Sequence, residues 1–173
     1  RPWKNTGNNG QLNAYSYDLN GNVKTITDAA GRVTTFYHDN LNRNTGIYLP
    51  DGGRIIKSYN LITGHLASIK DQRYLITNYE YNGFGNLIAQ TSPDTGTTSF
   101  AYDIGGRITT KIAANGAVTI YTWDALDRMT SRTSGGVVES FTYDEGTYGK
   151  GRLTRINDAT GSTTYEYSAA GEL

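Results

Sequence analysis

Five aspartates recur in one setting along this 173-residue chain. Asp18, Asp39, Asp103, Asp124 and Asp144 each directly follow Tyr17, His38, Tyr102, Trp123 or Tyr143, and Asn60, Asn82 and Ser168 hold the same place after Tyr59, Tyr81 and Tyr167. Carboxylates beside phenols and an indole are the material of acid–base chemistry. That chemistry needs two groups tuned apart at one point, whereas these stand 20 to 24 residues apart, most often 21. A group repeated once per period is spread out rather than brought to one centre. Asp or Asn at the end of a strand is instead suited to accept backbone N–H bonds in an Asx-turn, so these eight positions read as structural anchors.

Other constellations are no stronger. Asp18-Leu19-Asn20-Gly21-Asn22 opens like a calcium loop, but Val23 stands where that loop needs glycine and Ala29 where it needs glutamate. His38 and His65 lie in different repeats without metal-ligand spacing, and His38 fills an aromatic slot. The glycine corners, Gly105-Gly106-Arg107 among them, lack the Lys-Ser/Thr of a phosphate loop. No cysteine is present to bridge or to bind zinc. The expectation is no catalytic residue, no metal and no cofactor.

The elements that position the anchors follow from the period. After each anchor comes a corner and then an apolar residue, as in Gly85-Asn86-Leu87, Gly106-Arg107-Ile108 and Asp127-Arg128-Met129. A second corner falls half a period later and supplies the turn glycines Gly10, Gly31, Gly52, Gly96, Gly116, Gly136 and Gly161. Two corners per 21 residues leave two segments of strand length, so each repeat reads as one β-hairpin. Asn-Gly and Gly-Gly corners suggest primed turns, which need positive φ. The corner Lys70-Asp71-Gln72-Arg73 has no glycine and predicts a wider turn, and four extra residues around Glu145–Tyr148 predict a protruding loop.

Three and one residues before each anchor stand Tyr15/Tyr17, Phe36/His38, Lys57/Tyr59, Tyr79/Tyr81, Phe100/Tyr102, Tyr121/Trp123, Phe141/Tyr143 and Tyr165/Tyr167. Positions i and i+2 share a strand face, so successive hairpins offer an aromatic ladder whose rings are expected to pack on one another. Tyr121 and Trp123, if exposed, would stack on sugar rings. The strand after each anchor has an apolar entry and then mixed alternation, which assigns it no face.

Composition agrees with short strands and many turns: 21 glycines, 14 tyrosines and a mean hydropathy of −0.54. Lys+Arg and Asp+Glu are equal at 16 each, which gives no electrostatic reason to expect a nucleic-acid partner. No apolar run is long enough for a membrane helix.

The segments GRITTKIAANGAVTIYTWDALDRMT and GRVTTFYHDNLNRN resemble the YD repeats of the Rhs (rearrangement hot spot) family, and the likeness runs from Asn9 to Leu173. The resemblance implies an all-β fold of tandem antiparallel hairpins, about 21 residues each, joined into a continuous curved or spiralling sheet that forms part of a hollow shell. In bacterial Rhs and Tc toxins such a shell encloses a toxic C-terminal domain, and a related barrel occurs in teneurins. Residues 1–173 are then a single array of about seven hairpins with partial ends, cut from a longer protein. Its implied partners are the other repeats and the enclosed effector, and its implied location is bacterial, secreted or at the cell surface. The self-cleaving DPxG motifs of the family are absent, since Ser92-Pro93-Asp94-Thr95-Gly96 is an ordinary corner. Two alternatives stand beside the shell wall: a carbohydrate-binding or adhesion repeat using Tyr121 and Trp123, and a closed β-propeller with two hairpins per blade.

Overall fold

The computed structural model of the chain describes residues 4–6 and 12–173. Among these, every regular element is a β-strand, and no helix is long and apolar enough to cross a membrane. The strands are β1 (Lys4–Thr6), β2 (Leu12–Tyr17), β3 (Val23–Thr27), β4 (Val33–His38), β5 (Asn44–Tyr48), β6 (Arg54–Tyr59), β7 (Leu66–Lys70) and β8 (Ile76–Tyr81). They continue with β9 (Leu87–Ser92), β10 (Gly96–Tyr102), β11 (Ile108–Ile112), β12 (Val118–Trp123), β13 (Met129–Ser134), β14 (Val137–Tyr143), β15 (Leu153–Asp158) and β16 (Gly161–Thr164).

The chain divides into two compact units, Arg1–Glu80 with Thr91–Asp94, and Tyr81–Gln90 with Thr95–Leu173. In the first, β1 to β8 pair antiparallel in chain order. In the second, β10 to β16 do the same. The pairing of β4 with β5 and of β12 with β13 runs past any four-stranded limit, which removes the propeller alternative.

The turns differ from the primed type. At the first anchor, Gly21 N–H donates to Asp18 O at 3.0 Å and Asp18 N–H to Asn22 O at 2.9 Å, with one positive φ, 82° at Gly21. This is the three-residue loop in which an ordinary turn is followed by one left-handed residue. The second corners repeat it: Gly31, Gly52 and Gly116 take the left-handed place with φ of 77° to 87°. Among the described residues, only Gly135 and Gly136, at 57° and 82°, are consecutive left-handed residues in a two-residue loop. Gly96 and Gly161 also have positive φ, and Gly10 lies outside the described residues.

Departures from the 21-residue period localise to particular turns. The corner expected to be wide is tight: Tyr74 N–H donates to Asp71 O at 3.0 Å, and Tyr74 itself takes the left-handed place at φ 65°. The wide turn is at Asn60, where Gly64 N–H reaches Asn60 O across one more residue. A left-handed tyrosine is strained by roughly 1–2 kcal/mol. Tyr74→Gly is therefore expected to stabilise the chain by about 0.5 kcal/mol after glycine's greater chain entropy is counted, read as a higher urea midpoint. A lower midpoint would mean that the Lys70 ammonium, 4.9 Å from the Tyr74 ring centre, outweighs the strain.

A bulge follows the anchor turns. In all six anchor hairpins with a recorded register, the pairing shifts by one residue just before the anchor, between Ser16 and Tyr17, Tyr37 and His38, Ser58 and Tyr59, Ala101 and Tyr102, Thr122 and Trp123, and Thr142 and Tyr143. The extra residue lies on the outgoing strand: Tyr17 faces Val23 while Ser16 faces Thr25, leaving Lys24 over. Beyond the bulge the outgoing strand's faces are exchanged.

The aromatic face is the more covered one. Thr119, Tyr121 and Trp123 are half-buried, while Val118, Ile120 and Thr122 on the other face of β12 are exposed. No apolar side chain among the described residues is fully buried, and Thr154 is the buried polar one. Without a core, cross-strand pairs and the corners hold the hairpins together.

Candidate functional site

The corner that repeats is the site. At Asp124 the carboxylate Oδ1 accepts the N–H of Leu126 at 2.8 Å and of Arg128 at 3.0 Å, and Oδ2 accepts Arg128 Nε at 2.7 Å. Asp39 does the same with Leu41 and Arg43, and Asp103 with Arg107. Asp18, with no arginine beside it, accepts Asn22 N at 2.8 Å and Asn22 Nδ2 at 2.9 Å. Asn60 and Asn82 accept turn N–H groups through Oδ1. These carboxylates are occupied in closing turns.

The arginine that closes the anchor turn, four residues after the anchor at Arg43, Arg107 and Arg128 and eight after it at Arg152, reaches on to the next repeat. Arg43 Nη1 donates to Gly64 O at 3.2 Å, Arg107 Nη1 to Asp124 O at 2.8 Å, and Arg152 Nη1 to Gly171 O at 2.7 Å. Arg128 grips Asp144 with both terminal nitrogens, at 2.7 and 3.1 Å. At the opposite turn row Arg73 bridges Asp71 and Asp94.

The ring next to the anchor completes the link. Tyr59 Oη donates to Asn44 O at 2.9 Å, Tyr102 Oη to Leu87 O at 2.7 Å, Trp123 Nε1 to Ile108 O at 2.7 Å, Tyr143 Oη to Met129 O at 2.9 Å, and Tyr167 Oη to Leu153 O at 2.7 Å. The bulge explains the acceptor. Pairing of β11 with β12 stops at Thr110 opposite Ile120, so Ile108 at the bulge lies beyond the ladder. Met129 stands in the same relation to β14, and Asn44 to β6. A ring tip with a donor takes each of these carbonyls.

The expected ring-on-ring ladder is replaced by arginine over ring. Arg43, Arg128 and Arg152 lie 4.4, 4.3 and 4.8 Å from the ring centres of Tyr59, Tyr143 and Tyr167. The ring pair among the described residues, Tyr37–Tyr48 at 4.6 Å, is off the ladder. A guanidinium gains both the ring face and the carboxylate, which two stacked phenols would not. Trp123 is tied through its N–H, and Tyr121 lines a shallow depression with Lys111, Thr119, Arg132 and Glu139.

Electrostatics follow from these bonds. Side-chain bonding to Arg107 holds Asp103 below the usual carboxylate range, and the Arg128 backbone N–H does so for Asp124. Asp144 is held lowest, at about 2, by Arg128 and then by the Gly151 N–H. A carboxyl depressed on folding adds stability that is complete above its unfolded value of 3.8 and lost as pH falls toward about 2. The chain should thus lose stability between about pH 4 and pH 2. Asp144→Asn should flatten that loss in urea titrations at stepped pH. An unchanged slope would remove Asp144 from the acid transition.

The loop at Glu145–Tyr148 is exposed along its length, as expected of an insertion. It turns back so that Gly149 is buried, and Glu145 N–H donates to Thr154 Oγ1 at 3.4 Å.

Fold and corner together define a β-hairpin repeat array whose recurring corner chemistry links neighbouring repeats. The RHS Repeat family matches residues 17–54, 81–118 and 105–138, more than half of the chain, and the chain belongs to that family. It is 29% identical over 152 residues to Double-stranded DNA deaminase toxin A of Burkholderia cenocepacia strain H111, covering 83% of this chain and 10% of that protein. The fold is that of TcdB2-TccC3 without its hypervariable C-terminal region, with a TM-score of 0.75, 19% identity and coverage of 94% of this chain and 10% of the other. A Tc holotoxin pore of Photorhabdus luminescens shares it, with a TM-score of 0.69, 18% identity and coverage of 89% and 9%. The chain spans about a tenth of the length of these relatives.

Proposed function

We propose that the chain is a non-enzymatic stretch of wall in a β-sheet shell that encloses a C-terminal effector of a bacterial toxin. Residues 1–173 are one array within it, and the protein is secreted or displayed at the cell surface. One observation carries the reading: the titratable and hydrogen-bonding groups of the corners are spent on their own turns and on the repeats to either side, through Arg128 to Asp144 in the next repeat and Trp123 to Ile108 O in the preceding one for example. Membership of the RHS Repeat family and the likeness to toxin structures support it. The partners are the other repeats and the effector. The test is limited proteolysis of the full-length polypeptide. The segment after the repeats is expected to survive at least tenfold longer than the same segment made alone, and equal lifetimes would defeat the reading.

Glycan stacking is the second reading, favoured by the polar depression around Tyr121. It requires saturable binding on a glycan array that Tyr121→Ala removes.

A further inference from the structure

Within the second unit, one face of β11 to β14 carries polar groups that the corners do not use. The register sets them in two rows. Lys111, Thr119 and Ser134 stand opposite one another across β11, β12 and β13, and Tyr121, Arg132 and Glu139 do so across β12, β13 and β14. Tyr121 is two residues on from Thr119, so the rows share a face and stand about 7 Å apart. Together they line a depression of about 410 Å³, the size of a small-molecule site. Four of the six side chains are spent on each other. Arg132 Nη2 lies 2.7 Å from Glu139 Oε2, and Thr119 Oγ1 donates to Ser134 Oγ at 3.3 Å. Lys111 and Tyr121 differ. Among the described residues the Lys111 ammonium has no carboxylate or hydrogen-bond partner, and the Tyr121 hydroxyl makes no hydrogen bond, whereas Tyr102, Tyr143 and Tyr167 each hold a carbonyl. With Glu139 neutralised by Arg132, the depression keeps one positive charge over.

We propose that this depression binds a sugar carrying a carboxylate, with the pyranose against the Tyr121 ring and the carboxylate at the Lys111 ammonium. This rests on the glycan reading above and names its ligand. Each part of the ligand answers to a part of the site. A phenol ring flanked by the Thr119 and Ser134 hydroxyls suits a pyranose, which presents an apolar face and a rim of hydroxyls. Lys111 and Tyr121 are diagonal cross-strand neighbours, roughly 7–8 Å apart at the backbone, so one sugar residue spans both. A neutral sugar would leave the ammonium unpaired, and a bare anion would leave the ring unused. The second charge of a phosphate would find no further free cation and would meet the Glu139 carboxylate, so the single ammonium selects a carboxylate. Hexuronates and sialic acids share this chemistry.

The test is a ligand-observed NMR titration of the full-length polypeptide with methyl β-D-glucuronide, N-acetylneuraminic acid and methyl β-D-glucoside. The glucuronide and the glucoside differ only in a carboxylate for a hydroxymethyl group. At least one of the two acids is expected to bind about fivefold more tightly than the glucoside, the upper end for a half-exposed charge pair, and the tighter of the two names the source. Lys111→Gln should bring that acid down to the glucoside, and Lys111→Arg should keep the difference, both with an unchanged far-ultraviolet spectrum. Displacement of the sugar by an equal concentration of acetate would reduce the site to an anion spot and overturn the proposal. Equal binding of all three sugars, lost in Tyr121→Ala, defeats the acidic ligand and leaves the glycan reading standing. Binding of none of them defeats the proposal, and a blank glycan array on the same preparation defeats the glycan reading with it.

Discussion

Tyr102→Phe, Trp123→Phe and Tyr143→Phe combined are expected to lower unfolding free energy by about 3 kcal/mol, roughly 1 kcal/mol for each lost hydrogen bond. Each removes the donor that takes a carbonyl beyond the ladder, Leu87 O, Ile108 O and Met129 O respectively. The rings remain, so the half-buried aromatic face is largely kept, and Trp123→Phe adds a smaller loss of packing. The three links belong to different corners, so their costs should nearly add. In a repeat array, stability is a sum of repeats and the interfaces between neighbours, and these bonds sit at the interfaces. The measurement is urea unfolding with an unchanged far-ultraviolet spectrum at zero urea. A combined loss under about 0.5 kcal/mol would show that water serves these carbonyls as well as the rings do.

The period, the hairpins and the anchor turns were legible because each recurs as a residue type at fixed spacing. The bulge was not, because it leaves no residue type behind. Lys24, Thr109 and Thr130 are unremarkable in sequence, yet each shifts the strand behind it by one place, and this is why the outgoing strands showed no clean alternation. The carbonyl links had a readable signal that the aromatic count concealed. The position before the anchor is Tyr, Trp or His in all eight repeats and never Phe, while Phe36, Phe100 and Phe141 appear two residues earlier. A ring that always carries a donor implies an acceptor. Tyr74 misled for a related reason: a missing glycine suggested a wider loop, but the hydrogen bonds of the corner impose the left-handed conformation on whatever residue is there.

Gly149→Ala is expected to cost about 2–3 kcal/mol, the upper range for forcing one methyl group into a filled space. A Cβ at Gly149 would lie 1.8 Å from Glu145 O and 2.7 Å from Thr154 Cγ2. The first is backbone, which has no rotamer to yield, and the second belongs to the buried Thr154, whose Oγ1 donates to Thr142 O at 3.1 Å. Relief therefore requires residues 145–149 to lift off β15, breaking the Glu145 N–H bond to Thr154 and exposing the hydroxyl beneath. Gly146→Ala is the control: its φ of 75° is unfavourable for alanine, but nothing lies near the new Cβ, so only the backbone cost of about 1 kcal/mol applies. Urea midpoints of the two variants separate packing from backbone strain. Equal losses would mean that the loop is loosely held and Gly149 is not clamped. The larger loss at Gly149, with new proteolytic cutting inside residues 145–149, would identify the loop as the place where an insertion into the repeat has been folded back onto the sheet.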